Sequence, residues 1–83
     1  MKVNVKYFAS IREAIGQGGE AIETGAATCA ALRDDLIARG GPYATALARG
    51  KAVRVALDKL MIAEDAELNE GCEVAFFPPV TGG

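Results

Sequence analysis

The sequence predicts one small α+β domain, in which a single main helix packs on a mixed sheet of four or five strands. Three observations support this fold class. A chain of 83 residues has room for one domain and not two. Apolar residues make up 51% of it, which favours a packed core over disorder. The hydrophobic pattern indicates strand, strand, helix, strand, short strand and strand, an order that leaves ferredoxin-like and other small α+β sheets open.

The first strand is predicted over residues 2–8. Val3, Val5 and Tyr7 alternate there with polar residues, as expected for a strand with one face on a core. Phe8 falls on the opposite parity, so its ring should point away from the core near the end of the strand.

A short helical turn and a weaker strand follow. Ser10 is a candidate cap for a turn over residues 11–15, which Gly16 can end. The glycine-rich residues 16–19 lack the lysine of a phosphate-binding P-loop and do not join a strand to a helix, so they are predicted to form a plain turn. The second strand is predicted over residues 20–24.

The main helix is predicted from its N-cap, Thr28, to about Arg39, with two glycines, Gly40 and Gly41, ending it. Its spacing places an apolar stripe toward the core. The members of the stripe are Cys29, Leu32 and Leu36, with Ile37 beside them. The charged residues of the same helix are predicted to face solvent, and they are Arg33, Asp34 and Asp35.

The rest of the domain is predicted to be a second short helix followed by strands. Pro42 can open this helix, which would run to about Arg49. The strands are expected at residues 53–57, 60–62 and 73–77. Asp58 and Lys59 should turn the chain between the first two, and Leu68 should anchor the loop before the third in the core.

The last strand has two different faces and a sharp end. Val74 and Phe76 should face the core, whereas Phe77 points the other way. Pro78 and Pro79 stop the sheet ladder, because neither can donate a backbone hydrogen bond. We therefore expect a folded domain over residues 1–77 and a tail over residues 78–83.

The composition excludes several kinds of function. A net charge of −2 gives no electrostatic footprint for nucleic acid or an anionic membrane. The chain has no histidine, so no metal or cofactor site is predicted in it. Cys29 and Cys72 lack metal or redox spacing, and we expect reduced thiols and a cytoplasmic location. We expect no signal peptide before the first strand, and no apolar run approaches the ~20 residues that span a bilayer.

The final eight residues carry a family resemblance. The run Phe76-Phe77-Pro78-Pro79-Val80-Thr81-Gly82-Gly83 resembles the C-terminus of the small, sulfur-carrier subunits of molybdopterin synthase. The aromatic pair and the double proline make the match specific, since Gly-Gly alone is shared by ubiquitin-like modifiers and the thiamine-pathway sulfur carrier. The resemblance implies a ubiquitin-like β-grasp, in which the first and last strands are parallel neighbours in the middle of the sheet, with a flexible C-terminal tail.

The resemblance also implies a reacting group, the α-carboxyl of Gly83. In the family an E1-like adenylyltransferase (MoeB-like) activates this carboxylate with ATP, and sulfur then replaces AMP to give a thiocarboxylate. A cysteine desulfurase or a rhodanese would be the sulfur donor. The thiocarboxylate enters the large subunit (MoaE-like) of a heterotetrameric synthase, where its sulfur builds the dithiolene of molybdopterin from cyclic pyranopterin monophosphate. The chain would bind no cofactor itself and would be a sulfur-donating subunit, not an enzyme on its own.

The predicted site residues lie at the end of the chain and beside it. Gly82 should let the tail thread a narrow channel, because glycine has no Cβ. Phe8 and Phe77 should share an exposed apolar patch, which Leu60 would join from the hairpin. The full set of predicted partner-binding residues is Phe8, Leu60, Phe77, Pro78, Pro79, Val80 and Thr81.

Three alternative functions stay open. The chain could be a thiamine-pathway sulfur carrier, although those usually lack the Phe-Phe-Pro-Pro run. It could also be a ubiquitin-like modifier that is joined through Gly83 to lysines of target proteins. An inert β-grasp interaction module is the third alternative, and it would require Gly83 to be dispensable.

Overall fold

The structure, a computed structural model, describes residues 1–79, and residues 80–83 lie outside the described part. The helices and strands follow the predicted order. Their bounds are β1 Lys2–Tyr7, α1 Ala9–Ile15, β2 Gly19–Glu23, α2 Cys29–Ile37, α3 Gly41–Ala46, β3 Arg54–Leu57, β4 Leu60–Ile62 and β5 Glu73–Phe77.

The strands form one mixed sheet in the order β2-β1-β5-β3-β4. β5 is therefore the middle strand, with β1 parallel to it on one side and β3 antiparallel to it on the other. This is the strand arrangement that the resemblance implied, and the predicted α+β β-grasp is confirmed. Among residues 1–79, no helix is long and apolar enough to cross a membrane.

The core forms where the predicted apolar faces of sheet and helix meet. Alternation along β1 buries Val3, Val5 and Tyr7, whereas Phe8 keeps 47% of its surface exposed. The largest fully buried side chains are Tyr7, Phe76, Leu32, Leu36, Leu47, Val3, Val5, Val74 and Cys29. Burying one such apolar side chain contributes about 1.5–3 kcal/mol, so this shared interior holds the helices on the sheet.

The start of α1 differs from the prediction. The helix begins at Ala9 and Ser10 lies inside it, so Ser10 is not the cap. The chain leaves β1 through Ala9, whose φ of +50° is left-handed, and the carbonyl of Phe8 then accepts the first helical N–H groups, those of Ile11 and Arg12. The predicted end is confirmed, because Gly16 adopts a left-handed conformation (φ +89°) after the last turn.

Helix α2 has the predicted start and an earlier end. The Oγ1 of Thr28 accepts a hydrogen bond of 3.1 Å from the backbone N–H of Ala31, which confirms the N-cap. The helix ends at Ile37, and Ala38 is its C-cap. The N–H groups of Arg39 and Gly40 then bond three residues back, which tightens the last turn. Gly40 is the N-cap of α3 instead of the end of α2.

Arg33 is buried, so its predicted solvent-facing position is wrong, although its two acidic neighbours are exposed. Its Nε donates to the carbonyl of Leu47 at 2.8 Å, and its Nη2 donates to those of Ala48 and Lys51. Its Nη1 pairs with Glu64 at 3.1 Å. A guanidinium with all these partners can be buried at acceptable cost, and here it fixes the loop after α3 to the main helix.

A second polar network, which the sequence did not predict, centres on Glu20. Its Oε2 accepts hydrogen bonds from the hydroxyls of Tyr7 (2.9 Å) and Tyr43 (2.7 Å) and from Gln17 Nε2 (3.1 Å). Its Oε1 pairs with Arg39 at 3.1 Å. Burial alone would raise the pKa of Glu20, but the hydrogen bonds from Tyr43, Arg39 and Tyr7 outweigh it and lower the pKa below 4.5.

This lowered pKa predicts an acid-dependent loss of stability. A carboxyl group whose pKa is lower in the folded state stabilises the fold above its unfolded pKa, and the stabilisation is lost as the pH falls below it. Glu20→Gln should therefore lower the free energy of unfolding by about 1–3 kcal/mol at neutral pH. The difference in unfolding free energy between this variant and the unaltered chain should become smaller below pH 4.5. Urea denaturation between pH 7 and pH 3 measures both, with Glu23→Gln on the exposed side of β2 as the control. A gap that does not change with pH would contradict this role for the carboxylate.

Candidate functional site

The C-terminal segment leaves the fold from the middle of the sheet. β5 ends at Phe77, which pairs with Arg54 at the start of β3. On the other flank, the backbone N–H of Phe8 donates to the carbonyl of Phe76 at 3.1 Å. Pro78 follows at once, so the segment beyond the strand starts between the end of β1 and the beginning of β3.

The structure brings together the two aromatic residues that were predicted to share a patch. The rings of Phe8 and Phe77 meet edge to face, with centroids 6.4 Å apart and planes at 84°. Together with Ala9, Pro78 and Pro79 they line one open groove of about 510 Å³ with almost no polar surface. We call this the aromatic groove. An exposed apolar groove on a small domain is typical of a surface that contacts another protein.

Ala9 is the residue of this groove that sequence reasoning missed. Its left-handed backbone turns the chain out of β1, so that the ring of Phe8 lies against that of Phe77. Left-handed backbone is costly for a residue with a Cβ and is usually found at glycine. An alanine in the sequence therefore gave no signal of the turn.

Leu60 lies apart from the aromatic groove. It pairs with Leu57, which pairs with Val74, three residues and about 10 Å before Phe77 along β5. Leu60 is 69% exposed and its neighbour Met61 is 56% exposed, so β4 carries exposed apolar side chains of its own. The structure does not place Leu60 beside the two phenylalanines, and its partner-binding role stays a prediction.

Pro78 also lines a smaller groove of about 130 Å³. It is formed by α1, α3 and the segment before β3, and Lys51 and Thr45 are among its lining residues. Pro78 is therefore shared by both grooves, and a partner that binds the start of the tail can contact both.

Neither cysteine of the chain lines the two grooves. Cys29 and Cys72 are free thiols inside the core. Burial, with smaller effects of Cys72 and Glu64, raises the pKa of Cys29 to about 11, so it stays protonated at neutral pH. The predicted reacting group, the carboxyl of Gly83, lies outside the described residues, as do Val80, Thr81 and Gly82. Their roles stay predictions.

Comparison with known proteins identifies the family. A model of the ThiS family matches residues 5–83, which include the second half of β1, all later strands and the whole C-terminal run. The chain belongs to the ThiS family. The molybdopterin synthase sulfur carrier subunit of Haemophilus influenzae is 41% identical to it over 81 residues, 98% of this chain and 99% of that protein. The resemblance drawn from eight terminal residues is thus confirmed over nearly the whole chain.

Two solved structures of differently named proteins share the fold of this chain. One belongs to a complex of subunits 1 and 2 of the molybdopterin-converting factor from Helicobacter pylori, with a TM-score of 0.68, 26% identity and full coverage of both chains. The other is SAMP1 from Haloferax volcanii, a small archaeal modifier protein, with a TM-score of 0.77, 25% identity and full coverage of both chains.

Proposed function

We propose that this chain is the sulfur carrier subunit of molybdopterin synthase and that it carries sulfur as a thiocarboxylate on Gly83. One observation carries the proposal. The chain is 41% identical to such a subunit, and its Pro-Pro-Val-Thr-Gly-Gly sequence directly follows the middle strand of the sheet, which ends beside an exposed aromatic groove.

Activation of the terminal carboxylate requires a second protein, because a carboxylate does not react with nucleophiles at neutral pH. An E1-like adenylyltransferase would let an oxygen of the Gly83 carboxylate attack the α-phosphorus of ATP, with pyrophosphate as the leaving group. The outer sulfur of a cysteine persulfide on a cysteine desulfurase or a rhodanese would then attack the carbonyl carbon and release AMP. A second thiol would cleave the resulting acyl disulfide, which leaves the thiocarboxylate on Gly83 and a disulfide on the donor. We place these steps in the cytoplasm, where thiols stay reduced.

Transfer would take place in the large subunit of a heterotetrameric synthase. Residues 78–83 can reach at most ~20 Å, enough to bring the thiocarboxylate sulfur to a buried substrate such as cyclic pyranopterin monophosphate. The two prolines limit the conformations of the tail's start and so reduce the entropy lost on binding. The aromatic groove offers the partner an apolar contact at the base of the tail, and the solved complex of the Helicobacter pylori relative supports such an assembly.

Intact mass spectrometry tests the proposal. After incubation with the E1-like enzyme, ATP and a sulfur source, the chain should gain the mass difference between sulfur and oxygen. The control is the same chain without Gly83, which should stay unmodified. An unchanged mass, under conditions in which a known carrier is converted by its own enzyme, would contradict the thiocarboxylate.

A second candidate function is supported by the likeness to SAMP1. A modifier would be joined through Gly83 to lysine side chains, by the same adenylate but with an amine in place of sulfur as the nucleophile. Affinity capture from cells separates the candidates. A sulfur carrier of molybdopterin synthase should bring down one large subunit, a thiamine-pathway carrier a thiazole-forming partner, and a modifier a ladder of covalent conjugates.

A further inference from the structure

The charged side chains of the sheet are sorted between its two ends. The tail end is where β1 and β5 finish and β3 begins, and the opposite end is the far end. The far end is rich in carboxylates. Its charged residues are Lys2, Glu23, Asp58, Lys59, Glu70 and Glu73.

The tail end carries cations around the aromatic groove. Arg54 pairs directly with Phe77, and Lys6 precedes Phe8 by two residues on the same side of β1. Arg12 lies beside Ala9 on α1, and Lys51 lines the smaller groove next to Pro78. All four cations are exposed, and the exposed carboxylate near them is that of Glu13 on α1.

Internal ion pairs account for the other arginines. Arg33 pairs with Glu64, Arg39 with Glu20, and Arg49 with both Asp34 and Glu64. Within residues 1–79, by contrast, none of the four tail-end cations comes within 4.0 Å of a carboxylate. Their charge is therefore available to a partner, and it is concentrated at the end from which the tail leaves.

We propose that the tail-end cations recognise a partner surface on which carboxylates surround an apolar side chain, and that they orient the chain with its tail toward that partner. The inference rests on the proposed function, in which the partner is the large subunit. The chain as a whole has a net charge of −2, so an acidic partner surface repels it in most orientations. The same acidic surface attracts the tail end, where the cations lie around the aromatic groove and the start of the tail.

Charge reversal at the two ends tests the proposal with a matched control. The test variant is Lys6→Glu with Arg54→Glu, and the control is Lys2→Glu with Lys59→Glu at the far end. Both change the net charge by the same amount. Stopped-flow association with the purified large subunit is measured from low to high salt, after thermal melts show that both variants fold.

At low salt, the association rate constant of the tail-end variant should be at least about tenfold lower than that of the unaltered chain. The rate constant of the control should stay within about threefold of the unaltered value. The difference should vanish near 0.5 M salt, where charges are screened within a few ångströms. Equal slowing of both variants would overturn the inference, because net charge alone would then explain it. Failure of the unaltered chain to bind at any salt would overturn the proposed function and this inference with it.

Discussion

Deletion of Gly83 is expected to abolish sulfur transfer while leaving the melting temperature almost unchanged. Addition of one residue after Gly83 should have the same effect. The reacting carboxyl must lie at a fixed distance from the aromatic groove, and a change of one residue moves it by about 3.5 Å. Among residues 1–79, in contrast, the buried core extends no further along the chain than Phe76.

The measurement combines a thermal melt with molybdopterin formation by the reconstituted synthase. One glycine added before Met1 serves as the control for chain length, and it should leave both values unchanged. Activity that survives either C-terminal change would contradict the carrier function. A large drop in melting temperature would instead show that the terminal residue supports the fold.

Phe76→Ala is expected to reduce folding stability and Phe77→Ala to reduce partner binding, although the two residues are neighbours. Phe76 is fully buried between Tyr7 on β1 and Val55 on β3. Its removal leaves a cavity, which typically costs about 3–5 kcal/mol of folding free energy. Phe77 is only partly buried, so its truncation leaves no closed cavity, and its edge-to-face contact with Phe8 adds only about 0.5–1.5 kcal/mol beyond the burial of its surface. Phe77→Ala should instead weaken large-subunit binding by about 2 kcal/mol or more, as for a central interface residue.

Urea denaturation and a titration against the large subunit measure the two effects on the same pair of variants. Each variant is the control for the other, because the two changes are chemically identical and one residue apart. If Phe77→Ala unfolds the domain, or if Phe76→Ala weakens large-subunit binding without lowering stability, the functions assigned to the two faces of β5 are inverted.

Features set by local pattern were predictable from the sequence. The period-two alternation of Val3, Val5 and Tyr7 placed the inner face of β1 correctly and so placed Phe8 outside. Thr28 capped the main helix as expected, since capping needs only residues within one turn. The place of β5 beside β1 came from the family resemblance, because nothing in one sequence pairs strands that are seventy residues apart.

Features set by distant partners were not predictable. Arg33 has the sequence context of a solvent-facing residue and is buried because carbonyls of a later loop and Glu64 meet its guanidinium. Glu20 is likewise held by Tyr7 and Tyr43, which come from separate elements. Leu60 was assigned to the patch by its apolar character, yet its position depends on strand register, which composition does not reveal.

The central position of β5 has a mechanical consequence. A pull on the C-terminus along the strand axis loads the ladders with β1 and β3 in shear, so many hydrogen bonds share the force. An edge strand would instead peel away one bond at a time. The domain should therefore stay folded when a partner binds and releases the C-terminal residues. The amide hydrogens of β5 should be among the slowest to exchange.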